Sequence, residues 1–114
     1  MKRVFISQPM RGLSDREIRA VRNAAILEVK AIYGENCEII DSYLDKFIPE
    51  TESGSCIPLK YLAESIRLLA DADVAYFCDG WSSARGCKIE YECANKYGIG
   101  VLTSRNNSWT NEEF

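Results

Sequence analysis

The segment Gly86-Cys87-Lys88-Ile89-Glu90-Tyr91-Glu92-Cys93-Ala94-Asn95-Lys96-Tyr97 places Gly86, Glu90, Cys93, Ala94 and Tyr97 on one face of a helix. A carboxylate in line with small and apolar residues is partly desolvated unless a pocket or a partner receives it. Helical side chains lean towards the N-terminus, so Glu90 points back at the preceding loop, where free N–H groups and the helix dipole favour its ionised form. An ionised carboxylate at a ligand site can act as a nucleophile. The competing reading leaves Glu90 at the edge of the stripe with its carboxylate in water, as for most glutamates on amphipathic helices. Glu92 faces elsewhere and reads as solvated.

Carboxylates carry the weight because the chain has no histidine. Ser-His-Asp and Cys-His catalysis both need an imidazole poised near neutral pH, and both are excluded. The five cysteines form an odd set without Cys-x-x-Cys spacing, so neither a disulfide scaffold nor a zinc site is expected. Cys87, at a helix start, is either an activated thiolate or a small buried apolar residue. No dinucleotide fingerprint and no Walker loop is present, and no cofactor or metal is implied.

These residues need elements to hold them. Val4-Phe5-Ile6 reads as a buried strand running into the loop Ser7-Gln8-Pro9-Met10-Arg11-Gly12. Ser14 and Glu17 have capping-box spacing, and Ile18, Val21, Ala25, Val29 and Ile32 then recur at helical intervals up to Gly34. Residues 37–40 read as a second strand, and 41–56 as a long irregular stretch. Pro58 suits a first helical turn, with Leu59, Leu62, Ile66 and Leu69 marking one face until Asp71. The apolar run Val74-Ala75-Tyr76-Phe77-Cys78 fits a central strand covered on both sides. A loop over 79–86, a helix over 87–97 and a strand over 99–102 follow, and the polar tail from Ser104 offers Trp109 and Phe114 as anchors.

This alternation predicts an α/β fold: a flavodoxin/Rossmann-like three-layer sandwich, with right-handed crossovers and a parallel sheet of four to five strands. In such sheets ligands sit beyond the carboxyl ends of the strands. Two loops become the binding candidates: Ser7, Gln8, Pro9, Met10, Arg11 and Gly12 after the first strand, and Gly80, Trp81, Ser83, Arg85 and Gly86 after the central one. The first can present backbone N–H groups beside the fixed charge of Arg11, which suits phosphate; a Pro-directed turn with a solvated arginine is the alternative. Arg85 is a second candidate for an anion, or half of a salt bridge. Trp81 either stacks on a base or covers the core edge.

With 114 residues, 46% hydrophobic and 27% charged, one ordinary globular domain spanning 1–114 accounts for the chain. A formal charge of -3 supplies no basic field for duplex nucleic acid or anionic lipid. The N-terminal apolar run is too short for a signal peptide or a span, so a cytoplasmic address and no membrane partner are expected.

The order Asp79-Gly80-Trp81, Arg85-Gly86, Glu90, Ala94 resembles the nucleoside 2-deoxyribosyltransferase superfamily, especially its small members. The opening Phe5-Ile6-Ser7-Gln8-Pro9-Met10-Arg11-Gly12-Leu13 is similar to the other signature of that group, and the likeness covers most of residues 3–103. The resemblance implies that Glu90 attacks the anomeric carbon of a (deoxy)nucleoside or nucleoside 5′-monophosphate, forming a glycosyl-enzyme that water or another base resolves. It further implies a 5′-phosphate at Arg11-Gly12, a homo-oligomer, and a helper carboxylate on the preceding helix. An ungapped count puts that helper at Glu64, whose alternative is a solvated helix position; matching the apolar positions of the two helices puts it at Ser65.

The chain also departs from the pattern. Ala84 stands where an aspartate is common, Cys87 where a threonine or serine is, and Glu92 where a glycine is. Asp79 becomes the substitute proton donor by position, though strand-end aspartates often cap turns. The same departures favour a module that binds a nucleotide-like ligand without turnover.

Overall fold

The computed structural model describes residues 1–44 and 56–104, in which strands and helices alternate along the chain. The strands are β1 (Lys2–Ser7), β2 (Cys37–Ile40), β3 (Val74–Phe77) and β4 (Gly100–Thr103). They form one parallel sheet in the order β2-β1-β3-β4. Parallel strands need crossovers, and three helices supply them: α1 (Asp15–Tyr33), α2 (Ile57–Leu69) and α3 (Arg85–Lys96). The expected α/β three-layer sandwich is therefore the observed one, with four strands among the described residues.

Alternation along β1 divides the core. Val4 and Ile6 point to one face, where they meet Ala25 and Val29 of α1 together with Tyr76 and Cys78. Phe5 points to the other, where it packs with Ala75, Phe77, Leu69 of α2 and Ala94 of α3. All four residues of β3 are buried, as a continuous apolar run flanked by β1 and β4 requires. Side chains as large as Phe5, Phe77 and Leu69 each contribute roughly 1.5–3 kcal/mol when fully buried, so the sheet ends stand on a rigid base.

Helix α1 starts where the capping box predicts. Ser14 Oγ accepts from the Glu17 amide at 3.1 Å, and the Glu17 carboxylate accepts from the Ser14 amide at 2.8 Å. Its inner face differs from the expected stripe: Ile18, Ala25 and Val29 are buried, Val21 and Ile32 lie half out, and Arg22 points inward. The inner face of α2 keeps Leu69 but turns Leu59 outward.

Two boundaries after β3 shift. A single 3-10 turn, Trp81–Ser83, occupies the expected loop, and α3 begins at Arg85 rather than Cys87, which puts Glu90 in its second turn. Gly80 takes φ +87°, a left-handed conformation that a side chain would strain, and Pro9 Cγ lies 3.5 Å from where its Cβ would stand. The exits of β1 and β3 therefore touch. Tyr97, expected on the inner stripe of α3, is 83% exposed; the buried set is Cys87, Glu90 and Ala94. Trp109 and Phe114 lie outside the described residues.

Candidate functional site

Chain order makes a crevice at the carboxyl ends of β1 and β3. The two strands are neighbours, yet the chain leaves β1 for α1 on one face and β3 for α3 on the other. A cavity of about 610 Å³ opens there. Gln8, Pro9, Met10 and Arg11 line it from the β1 exit, and Ser42, Tyr43 and Leu44 from the β2 exit. Pro58, Tyr61, Leu62 and Ser65 form one helical face of α2, at i, i+3, i+4 and i+7, and supply a wall. Gly80, Ser83, Ala84 and Arg85 lead into the first turns of α3, which add Gly86, Cys87 and Glu90.

Glu90 sits at the bottom, only 7% exposed. Ser7, the last residue of β1, donates its hydroxyl to Oε1 at 2.6 Å, and Ser65 of α2 donates to Oε2 at 2.6 Å. Three elements thus converge on one carboxylate, and both its oxygens accept charge-assisted bonds. Burial raises the carboxyl above its ordinary range, while the hydroxyls of Ser65 and Ser7 partly offset that rise. Cys87, one turn before Glu90, has its thiol pushed up to about 11, chiefly by burial, with a Ser7 hydrogen bond opposing and the Glu90 charge reinforcing.

The wall near β2 is held by Arg22. Its guanidinium is buried and donates to the Ile40 carbonyl at 3.2 Å, to Ser42 Oγ at 3.3 Å and to Gln8 Oε1 at 3.4 Å. Ser42 in turn donates to the Ile6 carbonyl at 2.9 Å, and Gln8 Nε2 donates to the Ile18 carbonyl at 3.1 Å. Tyr43 gives its hydroxyl to Asp15, and the Arg19 guanidinium lies 5.0 Å from the centre of its ring.

A family model described as a domain of unknown function, DUF4406, matches residues 2–103. The chain belongs to the DUF4406 family. No curated protein and no solved structure matches it. The matched span runs from β1 through β4, so the whole lining of the cavity lies inside the DUF4406 domain.

Of the residues expected at the site, the DUF4406 fold brings Gln8, Pro9, Met10, Arg11, Gly80, Ser83, Arg85, Gly86 and Glu90 to the cavity. Ser7 lies beneath it, buried against Glu90. Four expected residues are elsewhere. Glu64 faces away and pairs with Arg67 at 2.6 Å, which holds its carboxyl below the usual range; the next residue, Ser65, is the one that reaches Glu90. Trp81 does not line the cavity: its ring stacks on Tyr91, centroids 4.3 Å apart, and tilts against Phe77, covering the core edge. Asp79 and Gly12 are exposed and off the cavity lining. Sequence reasoning left out the α2 wall and the β2 exit, although the spacing of Pro58, Tyr61, Leu62 and Ser65 was a usable signal. Arg22 had none, since an arginine inside an apolar stripe is usually assigned to the surface.

Among the described residues, no three Cys, Asp or Glu side chains are grouped to hold a metal ion, and no helix is long and apolar enough to cross a membrane.

Proposed function

We propose that this DUF4406 chain cleaves or transfers the N-glycosidic bond of a (deoxy)nucleoside or nucleoside 5′-monophosphate, with Glu90 as nucleophile. The reading places it with the nucleoside 2-deoxyribosyltransferase superfamily. One observation carries it: a nearly buried carboxylate on a cavity floor, with a serine hydroxyl on each oxygen. Such an anion is oriented by its donors and stripped of most of its water, as a nucleophile aimed at an oxocarbenium-like carbon should be.

In the first step a Glu90 oxygen bonds to C1′ as the C1′–N bond breaks, and that bond's electron pair leaves with the base. In the second, water or another base attacks C1′ from the opposite side and the Glu90 carboxylate is released, so the anomeric configuration is retained. Arg11 and Arg85, at the exits of β1 and β3, suit an anionic group at the 5′ position. The proposal includes a cytoplasmic setting and a homo-oligomer.

A second reading, a module that holds the same ligand without turnover, is favoured by Ala84 and Cys87 lining the cavity where the resemblance expects polar helpers. The test is a panel of nucleosides and 5′-monophosphates, with and without an acceptor base, in which free or exchanged base is quantified. Release that disappears in Glu90→Gln supports the enzyme. Calorimetric binding with no release supports the module and removes the enzyme.

A further inference from the structure

Charge is sorted along this cavity. The floor holds the Glu90 carboxylate, and the exit loops hold the exposed Arg11 and Arg85. Two aromatic side chains, Tyr43 and Tyr61, line the same cavity. A buried anion needs a positive counterpart, aromatic faces attract cations, and arginines at the opening attract an anion. The complement of this arrangement is a zwitterion: a cationic ring end held near C1′ and an anionic end at the arginines.

Proton demand points the same way. A neutral purine or pyrimidine departs as an anion unless it is protonated, and that role needs a group whose pKa lies near the working pH. Ser7 and Ser65 give their protons to Glu90, and Tyr43 gives its proton to Asp15. Cys87 holds its proton too tightly, at about 11. Among the described lining residues Glu90 is the one carboxylate. A ring that is already positive needs no proton: it takes the electron pair of the breaking bond and leaves neutral.

We infer that the substrate class of this site is an N-glycosyl pyridinium, a cationic ring on a ribosyl 5′-phosphate, an assignment that rests on the N-glycosidic reading above. Glu90 bonds to C1′, the C1′–N⁺ bond breaks, and its pair neutralises the ring nitrogen. Water then adds to C1′, the ester oxygen returns to Glu90 as carboxylate, and one proton passes to solvent, so each turnover consumes one water and releases one proton.

The experiment uses the purified full chain with nicotinamide mononucleotide, its reduced form, adenosine 5′-monophosphate and cytidine 5′-monophosphate, and quantifies released base by chromatography. The reduced form matters because it has almost the same shape with an uncharged ring. Cleavage of the oxidised form at least about 100-fold faster than of the other three is expected, the lower bound of what a general acid contributes. Comparable or faster release from the neutral nucleotides overturns the substrate class and leaves the N-glycosidic reading standing. No release from any of the four, in a preparation that also fails with the wider nucleoside panel, overturns both.

Discussion

Removing the Ser65 hydroxyl isolates what the clamp does to Glu90. Ser65→Ala deletes the donor to Oε2 and leaves Ser7 on Oε1. A hydrogen bond to a charged group is worth about 1.5–3 kcal/mol, so losing it should push the carboxyl further up and favour its protonated form by about that energy. Ser65 is half-buried beside the cavity, where water can replace part of the lost bond, so the lower end applies. Ser7 is 2% exposed and has no such replacement, so Ser7→Ala should produce the larger shift. The assay is a carbon NMR titration of the Glu90 carboxyl in 13C-glutamate-labelled protein, assigned with Glu90→Gln; where the protein turns over substrate, the acid limb of the rate profile should move up by the same amount. Stability gives a second reading. A carboxyl raised in the folded state contributes most below its unfolded pKa of about 4.3, and that contribution is lost as pH rises through the folded value. The loss caused by Ser65→Ala should therefore be present at pH 8 and shrink near pH 4. An unchanged or lowered Glu90 titration in Ser65→Ala would refute the reasoning, as would a full effect retained in Ser65→Thr, which keeps the hydroxyl.

Glu90→Gln should abolish base release and raise the melting temperature at neutral pH, by on the order of 1 kcal/mol or about 4 °C, because an ionised group no longer has to be desolvated; an unchanged melting temperature with activity lost would show that the clamp already offsets the burial. Arg22→Met leaves the Ile40 carbonyl, Ser42 and Gln8 without a donor and should cost about 2–4 kcal/mol in chemical denaturation, with Arg22→Lys recovering only part; a loss below about 0.5 kcal/mol would mean that the network is rebuilt without the guanidinium. Thiol labelling in native protein should modify the exposed Cys56 quickly and spare Cys78 and Cys87, whose thiols are pushed up to about 12 and about 11 by burial, until denaturant is added. Rapid native labelling of Cys87 would contradict the closed floor.

Periodicity made most of the fold legible. The β3 run and the Ser14–Glu17 box left little alternative, and the expected order of strands and helices is the observed one. What periodicity could not supply is the phase of a helix against its neighbours. Glu64 and Ser65 are adjacent in sequence but 100° apart on α2, and which of them reaches Glu90 depends on how α2 lies across β1 and α3. Matching apolar positions pointed to Ser65, whereas an ungapped count pointed to Glu64. Trp81 misled for a similar reason: its value as a stacking platform is used within the protein, on Tyr91 and Phe77. Arg22 was invisible because its partners, carbonyl and hydroxyl oxygens at the ends of β1 and β2, come from backbone geometry that side-chain patterns do not encode.

The placement of the two buried charges follows from topology. Strand ends in a parallel sheet leave carbonyl and hydroxyl groups in a region too close to the core for full hydration, and the connections that leave β1 and β3 towards opposite faces open a gap there. Arg22 occupies the side of that gap near β2, where carbonyl oxygens accumulate and a donor is required. Glu90 occupies the other side, where the hydroxyls of Ser7 and Ser65 provide donors and an acceptor is required. Glu90 is held by the hydroxyls of Ser7 and Ser65 rather than by Arg22, so the carboxylate keeps its capacity to interact with a positive centre brought in by a ligand. A direct Arg22–Glu90 pair would have spent that capacity inside the fold, and the separation of the two is the structural condition for a reactive carboxylate at this site.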